Sequence, residues 1–174
     1  MSLQPVSNNI RAARCTIRNR SSFLRDLQAI AANHTTHIIC FNADTIAGRE
    51  HVQAAVARAA RAFQEGTNIS NTLEMEALLY AAGSRQCNIA ASFGIHEGEN
   101  RVYLCCSPMR EEIWTALETL FAFSIENWDA IDQEKREHLM MTYAISSEEI
   151  MAAGGDSRLV DLVLERVALL QVMR

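Results

Sequence analysis

Ser84, Arg85 and Gln86 put a hydroxyl, a guanidinium and an amide at three consecutive positions. At the start of a helix, beside free backbone N–H groups, that set suits an anion, phosphate above all. Their spacing predicts such a start. Leu73, Ala77, Leu78 and Ala81 recur at i, i+4, i+5 and i+8, one face of a helix. Asn71 and Glu74 have capping-box spacing at its head, and Gly83 stands where a left-handed residue closes it. Ser84 then follows as the N-cap of a second, shorter helix, with Arg85 and Gln86 in its first turn. A cation there opposes the helix dipole by about 0.3–1 kcal/mol, which a bound anion would offset. The alternative is that Arg85 turns back to pair with Glu74 or Glu76.

Other chemistry is thin. The sequence holds no P-loop, GxGxxG, HExxH or GxSxG. His34, His37, His51, His96 and His138 are scattered without metal-ligand spacing, so no metal and no cofactor is expected. Cys15, Cys40, Cys87, Cys105 and Cys106 form no CxxC, and their odd number fits reduced core or near-core thiols of an intracellular, cytoplasmic protein. A thiol enzyme pairing Cys105 or Cys106 with His96 across a hairpin needs an electropositive site, and the neighbouring Val-Tyr-Leu is apolar. The pattern favours a binding protein over an enzyme.

With 174 residues, 49% apolar and 21% charged, the chain has the length and composition of one globular domain with a real core. A net charge of -5 and a pI near 5.5 exclude a protein that coats nucleic acid indiscriminately, so any such contact is local. Lys135 is the only lysine; every other basic residue is arginine. No apolar stretch approaches a membrane span and no signal peptide is apparent.

In chain order, residues 1–9 are expected to be a flexible start and 10–174 one domain. Ile10–Ile17 reads as an edge strand, its Arg11 and Arg14 opening a basic run with Arg18 and Arg20 that is either a solvated face or a phosphate contact. Ser21 or Ser22 caps a helix to His34 bearing Phe23, Leu24, Leu27, Ile30 and Ala31. Thr36–Phe41 is a strand. Gly48 precedes a helix to Gln64 with Val52, Val56, Ala59 and Phe63 on its stripe, stopped by Gly66. Phe93–His96 and Arg101–Cys106 read as a hairpin. Pro108 opens a helix to Phe123, Asp132 opens another to Tyr143, and Gly154-Gly155 reads as a hinge.

Leu159–Met173 closes the sequence as a helix with more apolar residues than one stripe holds. Val160, Val163, Val167 and Leu170 make one face; Leu159, Leu162, Leu169 and Met173 make another. Both must be buried, either in a fully central position or against a partner protein.

Three blocks in register carry a family resemblance. Phe41-Asn42-Ala43-Asp44-Thr45-Ile46-Ala47-Gly48-Arg49-Glu50-His51-Val52 resembles a strand-to-helix signature. Ala82–Gln86 with Phe93-Gly94-Ile95 resembles a second block, and Val163–Leu170 a closing helix. Together they resemble the kinase-binding subunit of the KEOPS complex, the archaeal relative of the eukaryotic PRPK-binding protein. Cys87 stands where that family carries isoleucine, and Arg85 to Gly94 is one residue shorter.

The resemblance implies an α/β (α+β) domain: a small, mainly antiparallel sheet of about four strands surrounded by helices. It implies no catalysis, and two partners. One is the complex's atypical kinase/ATPase, gripped by the terminal helices, here Leu162, Val163, Val167 and Leu170. The other is the single-stranded 3′ CCA end of tRNA, for which Gly83, Ser84, Arg85 and Gln86, then Arg49 and His51, are the candidates. Such subunits help the complex install threonylcarbamoyl on the adenosine beside the anticodon. A protein-only regulator of the kinase, without RNA contact, is the alternative, and self-association of the isolated chain through its last helix stays open.

Overall fold

A computed structural model describes residues 10–173, so the expectation for residues 1–9 lies outside the described residues. Four strands form one sheet: β1 (Ile10–Ile17), β2 (His37–Asn42), β3 (Gly98–Ser107) and β4 (Ala122–Ser124), in the order β2-β3-β1-β4. Every neighbouring pair is antiparallel, with Ile39 opposite Cys105 and Ile10 opposite Cys105 on the other side. The expected α+β architecture is therefore present. One position differs: β1 is an inner strand, because the three-residue β4 pairs along Ala12–Arg14. The poor alternation of β1 suggests an edge, and its arginines a solvated face or a phosphate contact. They are accommodated by stacking and pairing, Arg11 lying 4.4 Å over the Trp114 ring and Arg14 bonding Glu126 at 2.7 Å.

Alternation along the strands divides the core in two. Ile10, Ala12, Ile39, Phe41, Tyr103 and Cys105 face one side, and Ala13, Ile17, Ile38, Val102, Leu104 and Cys106 the other. The adjacent Cys105 and Cys106 thus enter opposite cores, as strand geometry predicts. Over the second face lie α1 (Arg20–Asn33) and α5 (Ile113–Leu117). The first face carries α2 (Arg49–Glu65), α3 (Leu73–Ala82), α4 (Cys87–Ala91), α6 (Gln133–Thr142), α7 (Ser147–Ala153) and α8 (Leu159–Val172). A short 3-10 turn, Asp156–Arg158, joins α7 to α8 through Gly154 and Gly155, both at positive φ.

Two expected elements are replaced. Phe93–His96 is not a strand, because Asn100 folds that segment into a closed loop. Its amide donates to the carbonyls of His96 (2.7 Å) and Gly98 (3.0 Å) and accepts the His96 N–H. The helix expected from Pro108 to Phe123 shrinks to Ile113–Leu117, and the chain then turns into β4. Ile113, Leu117 and Phe121 are nevertheless buried as expected.

Helix caps also shift. Asn19, not Ser21 or Ser22, caps α1 by accepting the Ser22 N–H at 2.8 Å. Thr72, not Asn71, caps α3 by accepting the Met75 N–H. Glu74 pairs with His37 at 2.8 Å instead of completing a box. Glu76, fully buried, accepts the N–H groups of Ile69 (3.0 Å) and Ser70 (2.8 Å), tying the α2–α3 loop to the helix. Glu76→Ala leaves both N–H groups without an acceptor and should cost roughly 2–4 kcal/mol in urea denaturation, with Glu76→Gln losing less.

Candidate functional site

The corner at Gly83–Gln86 is built by the end of α3. Gly83 is left-handed (φ 61°), and the N–H groups of Gly83 and Ser84 bond the carbonyls of Tyr80 and Leu79 at 3.1 Å. A Cβ at Gly83 would meet the Arg166 carbonyl oxygen of α8 at 3.2 Å, so the corner and the last helix are in close contact. Ser84 does not cap the next helix. Its Oγ accepts the Gln86 N–H at 3.1 Å in a local turn, and α4 starts only at Cys87 with Gln86 as its cap residue. Arg85 and Gln86 therefore precede the helix, and α4, five residues long, offers no cradle of N–H groups. What the corner does offer is an exposed run, Arg85, Gln86, Cys87, Asn88 and Ile89. Among the described residues Arg85 makes no ion pair; Glu74 and Glu76 are engaged elsewhere, so the fold-back alternative is not adopted.

His51 is not at this surface. It is fully buried, its Nδ1 accepting the Ala47 N–H at 3.1 Å and its Nε2–H donating to the Ala81 carbonyl at 2.9 Å. Tyr143 packs edge-on against it, ring centroids 5.6 Å apart, and its hydroxyl donates to the Thr45 and Ala81 carbonyls at 3.0 and 3.2 Å. Burial lowers the His51 pKa to about 4, against the smaller opposing effect of the Ala81 hydrogen bond, and the Lys135 charge lowers it further. His51 is thus a neutral strut holding the start of α2 and the end of α3 together, two residues from Gly83. A signal existed: His51, Val52, Ala55, Val56 and Ala59 share the buried stripe of α2.

Arg49 is half-exposed and already neutralised. Its N–H and guanidinium bond Asp129 at 2.9 and 3.3 Å, and Tyr103 donates its hydroxyl to the same carboxylate at 2.9 Å. Burial pushes the Asp129 pKa up, but these donors and the Arg49 charge outweigh it and hold the carboxyl below its usual range. Asp129 went unnoticed in the sequence because it lies 80 residues from Arg49 in an irregular segment.

Along α8 the structure reverses the expected assignment. Leu162, Val163, Val167 and Leu170, the candidates for gripping a kinase, are 8%, 0%, 0% and 3% exposed. They pack into the core with Leu159, beneath α2 and α3. The apolar surface left outside is Leu169, Val172 and Met173, at 44%, 77% and 65% exposure and at i, i+3, i+4. Arg166 braces the helix by a bidentate pair with Glu149 (2.6 and 3.0 Å) and a bond to the Tyr143 carbonyl.

The thiols divide likewise. Burial pushes the Cys105 and Cys106 thiols up to about 12, and the hairpin that would bring His96 to them is absent. Cys87, expected near the core, is exposed on α4.

A small antiparallel sheet wrapped by helices, with an exposed cationic corner beside a closing helix whose tip is apolar outside, has the features of a docking protein. The family model described as kinase binding protein CGI-121 matches residues 15–171, and the chain belongs to that family. No curated protein matches it. No helix among the described residues is long and apolar enough to cross a membrane.

Proposed function

We propose that this protein is a non-catalytic accessory subunit of the KEOPS tRNA threonylcarbamoyladenosine machinery. It docks the partner kinase/ATPase on the outer side of the last turns of α8 and holds the 3′ CCA end of tRNA against the α3–α4 corner. Membership of a kinase-binding family supports the first half. The observation that carries it is the exposed triad Leu169, Val172 and Met173 on a helix whose opposite side is core. Apolar surface of this kind, at a helix end, suits a groove or a second helix. The second half rests on Arg85, an exposed guanidinium with no ion pair among the described residues, in the same exposed run as the Gln86 and Asn88 amides. Single-stranded ends are read by such backbone, stacking and base-edge contacts, which a net acidic protein can supply locally.

Met173→Glu should sharply reduce co-purification with the kinase while leaving circular dichroism unchanged; undiminished recovery rejects the docking face. For the RNA, tRNA lacking its CCA end should bind about tenfold or more weakly, and Arg85→Glu should lower affinity for intact tRNA by a similar factor. Equal binding of intact and truncated tRNA, with Arg85→Glu neutral, leaves the protein-only regulator of the kinase as the reading.

A further inference from the structure

Between α1 and α3 the chain forms an open cleft of about 730 Å³, lined by apolar residues of both helices and by Ile38, Ile39 and Cys40 of β2. Ile38 and Cys40 belong to the core under α1, whereas Ile39 belongs to the opposite core. A hollow touched by all three lies along the edge of the strand. β2 is terminal in the sheet, so that edge has no strand neighbour.

The backbone on this edge has a definite phase. The Ala43 N–H crosses toward β3 to the Arg101 carbonyl at 2.8 Å, and the Asn42 N–H turns the other way, to the Phe93 carbonyl at 2.7 Å. Alternation along an antiparallel strand then places the N–H and C=O groups of Ile38 and Cys40 on the outer edge as well. No hydrogen bond among the described residues reaches these outward groups. Gly94 touches the strand there, an added Cβ lying 3.8 Å from the Cys40 carbonyl, but donates its own N–H to Ala91. The chain therefore pairs the Asn42 end of this edge with its own Phe93 and leaves the Ile38–Cys40 end open. Ile38 and Cys40 are 4% and 8% exposed, and buried backbone groups without partners are costly.

We propose that this edge is a binding site for an extended peptide segment of a partner protein, which adds to the sheet as a strand beside β2. The unpaired groups select that occupant. Ile38 and Cys40 present N–H and C=O two residues apart, the spacing at which alternate residues of an extended backbone pair. Leu24 and Leu27 of α1 on one side, and Leu73 and Leu78 of α3 on the other, form apolar walls that would receive the peptide's alternating side chains. Arg20, Gln28 and the His37–Glu74 pair make the mouth polar. No residue of α8 and none of the α3–α4 corner lines the site.

The probe is a library of random short peptides displayed on phage, panned against the full chain. Peptides with alternating apolar residues should be enriched. Two groove variants, Ala31→Trp and Leu24→Glu, should bind them about tenfold or more weakly while keeping the wild-type circular dichroism. Backbone N-methylation of a synthetic copy of the selected peptide reports on the unaltered chain. Methyl groups on one alternate set of its amides should abolish binding, and on the other set should spare it. Absence of any enriched peptide, or equal tolerance of methylation in both sets, overturns the proposal.

Discussion

Taking the protein from pH 7 to pH 4 should remove roughly 3 kcal/mol of folding stability through one side chain, His51. Its ordinary pKa of 6.5 falls to about 4 in the folded chain, first because burial disfavours the imidazolium. Protonation would also destroy the acceptor at Nδ1 that holds the Ala47 N–H. Near neutral pH and above, the imidazole is uncharged whether folded or unfolded, and its contribution is complete. Between the two pKa values the unfolded chain binds a proton that the folded chain refuses, so stability declines by about 1.4 kcal/mol per pH unit as pH falls. Below pH 4 both forms carry the proton and the decline from this group stops. His51→Gln should cost about 2–3 kcal/mol at pH 7, where one or both hydrogen bonds are misaligned, yet be less sensitive to acid. Urea denaturation of both proteins from pH 7.5 to pH 4 is the measurement. A difference in stability between them that stays constant with pH would remove His51 as the source.

The same residue shows what a sequence does and does not disclose. Apolar patterning placed β2, α2, α3 and α8 within a few residues of their observed bounds, with Gly66 and Gly83 stopping α2 and α3, while the charged α6 was placed by its Asp132 cap. His51 sat within that pattern, on the stripe of α2, but the family resemblance made it a candidate for RNA contact. Its burial depends on a donor, the Ala47 N–H nearby, and an acceptor, the Ala81 carbonyl 30 residues away, and only the fold brings that acceptor to it. Phe93–Ile95 has the apolarity of a strand because it is buried beside the end of β2, while the Asn100 amide supplies the bonds a hairpin would have made. The α3–α4 corner was legible in position and not in detail. Gly83 needed its left-handed conformation whatever followed, but a serine after it has two uses. Ser84 takes the Gln86 N–H into a turn, which delays α4 and leaves Arg85 outside it. The groove beside β2 had no sequence signal at all, since it is made by α1 and α3 standing apart across a strand edge.

Glutamate at Val163 should unfold the protein, and glutamate at Val172 should leave it folded and lose the kinase. The two positions are nine residues apart on one helix and share a residue type, but Val163 is fully buried and Val172 is 77% exposed. A carboxylate at Val163 would enter the core among Leu159, Leu162 and Val167 with no donor placed for it, a cost of about 4–5 kcal/mol or more. Against a typical total of roughly 5–15 kcal/mol, that removes much of the margin, so a broad, early thermal transition and poor recovery are expected. Loss of kinase binding in this variant would report the fold and not the contact. At Val172 the new charge is solvated, and stability should change by no more than about 0.5 kcal/mol. Kinase affinity should nevertheless fall about tenfold or more, as when a charge enters the apolar centre of an interface. Thermal melts and titration with the kinase separate the two effects. A Val163→Glu protein melting like wild type would contradict the inward placement of that face. A stable Val172→Glu protein with full affinity would move the docking surface off the tip of α8, and the exposed Met151 of α7 would be the next side chain to test.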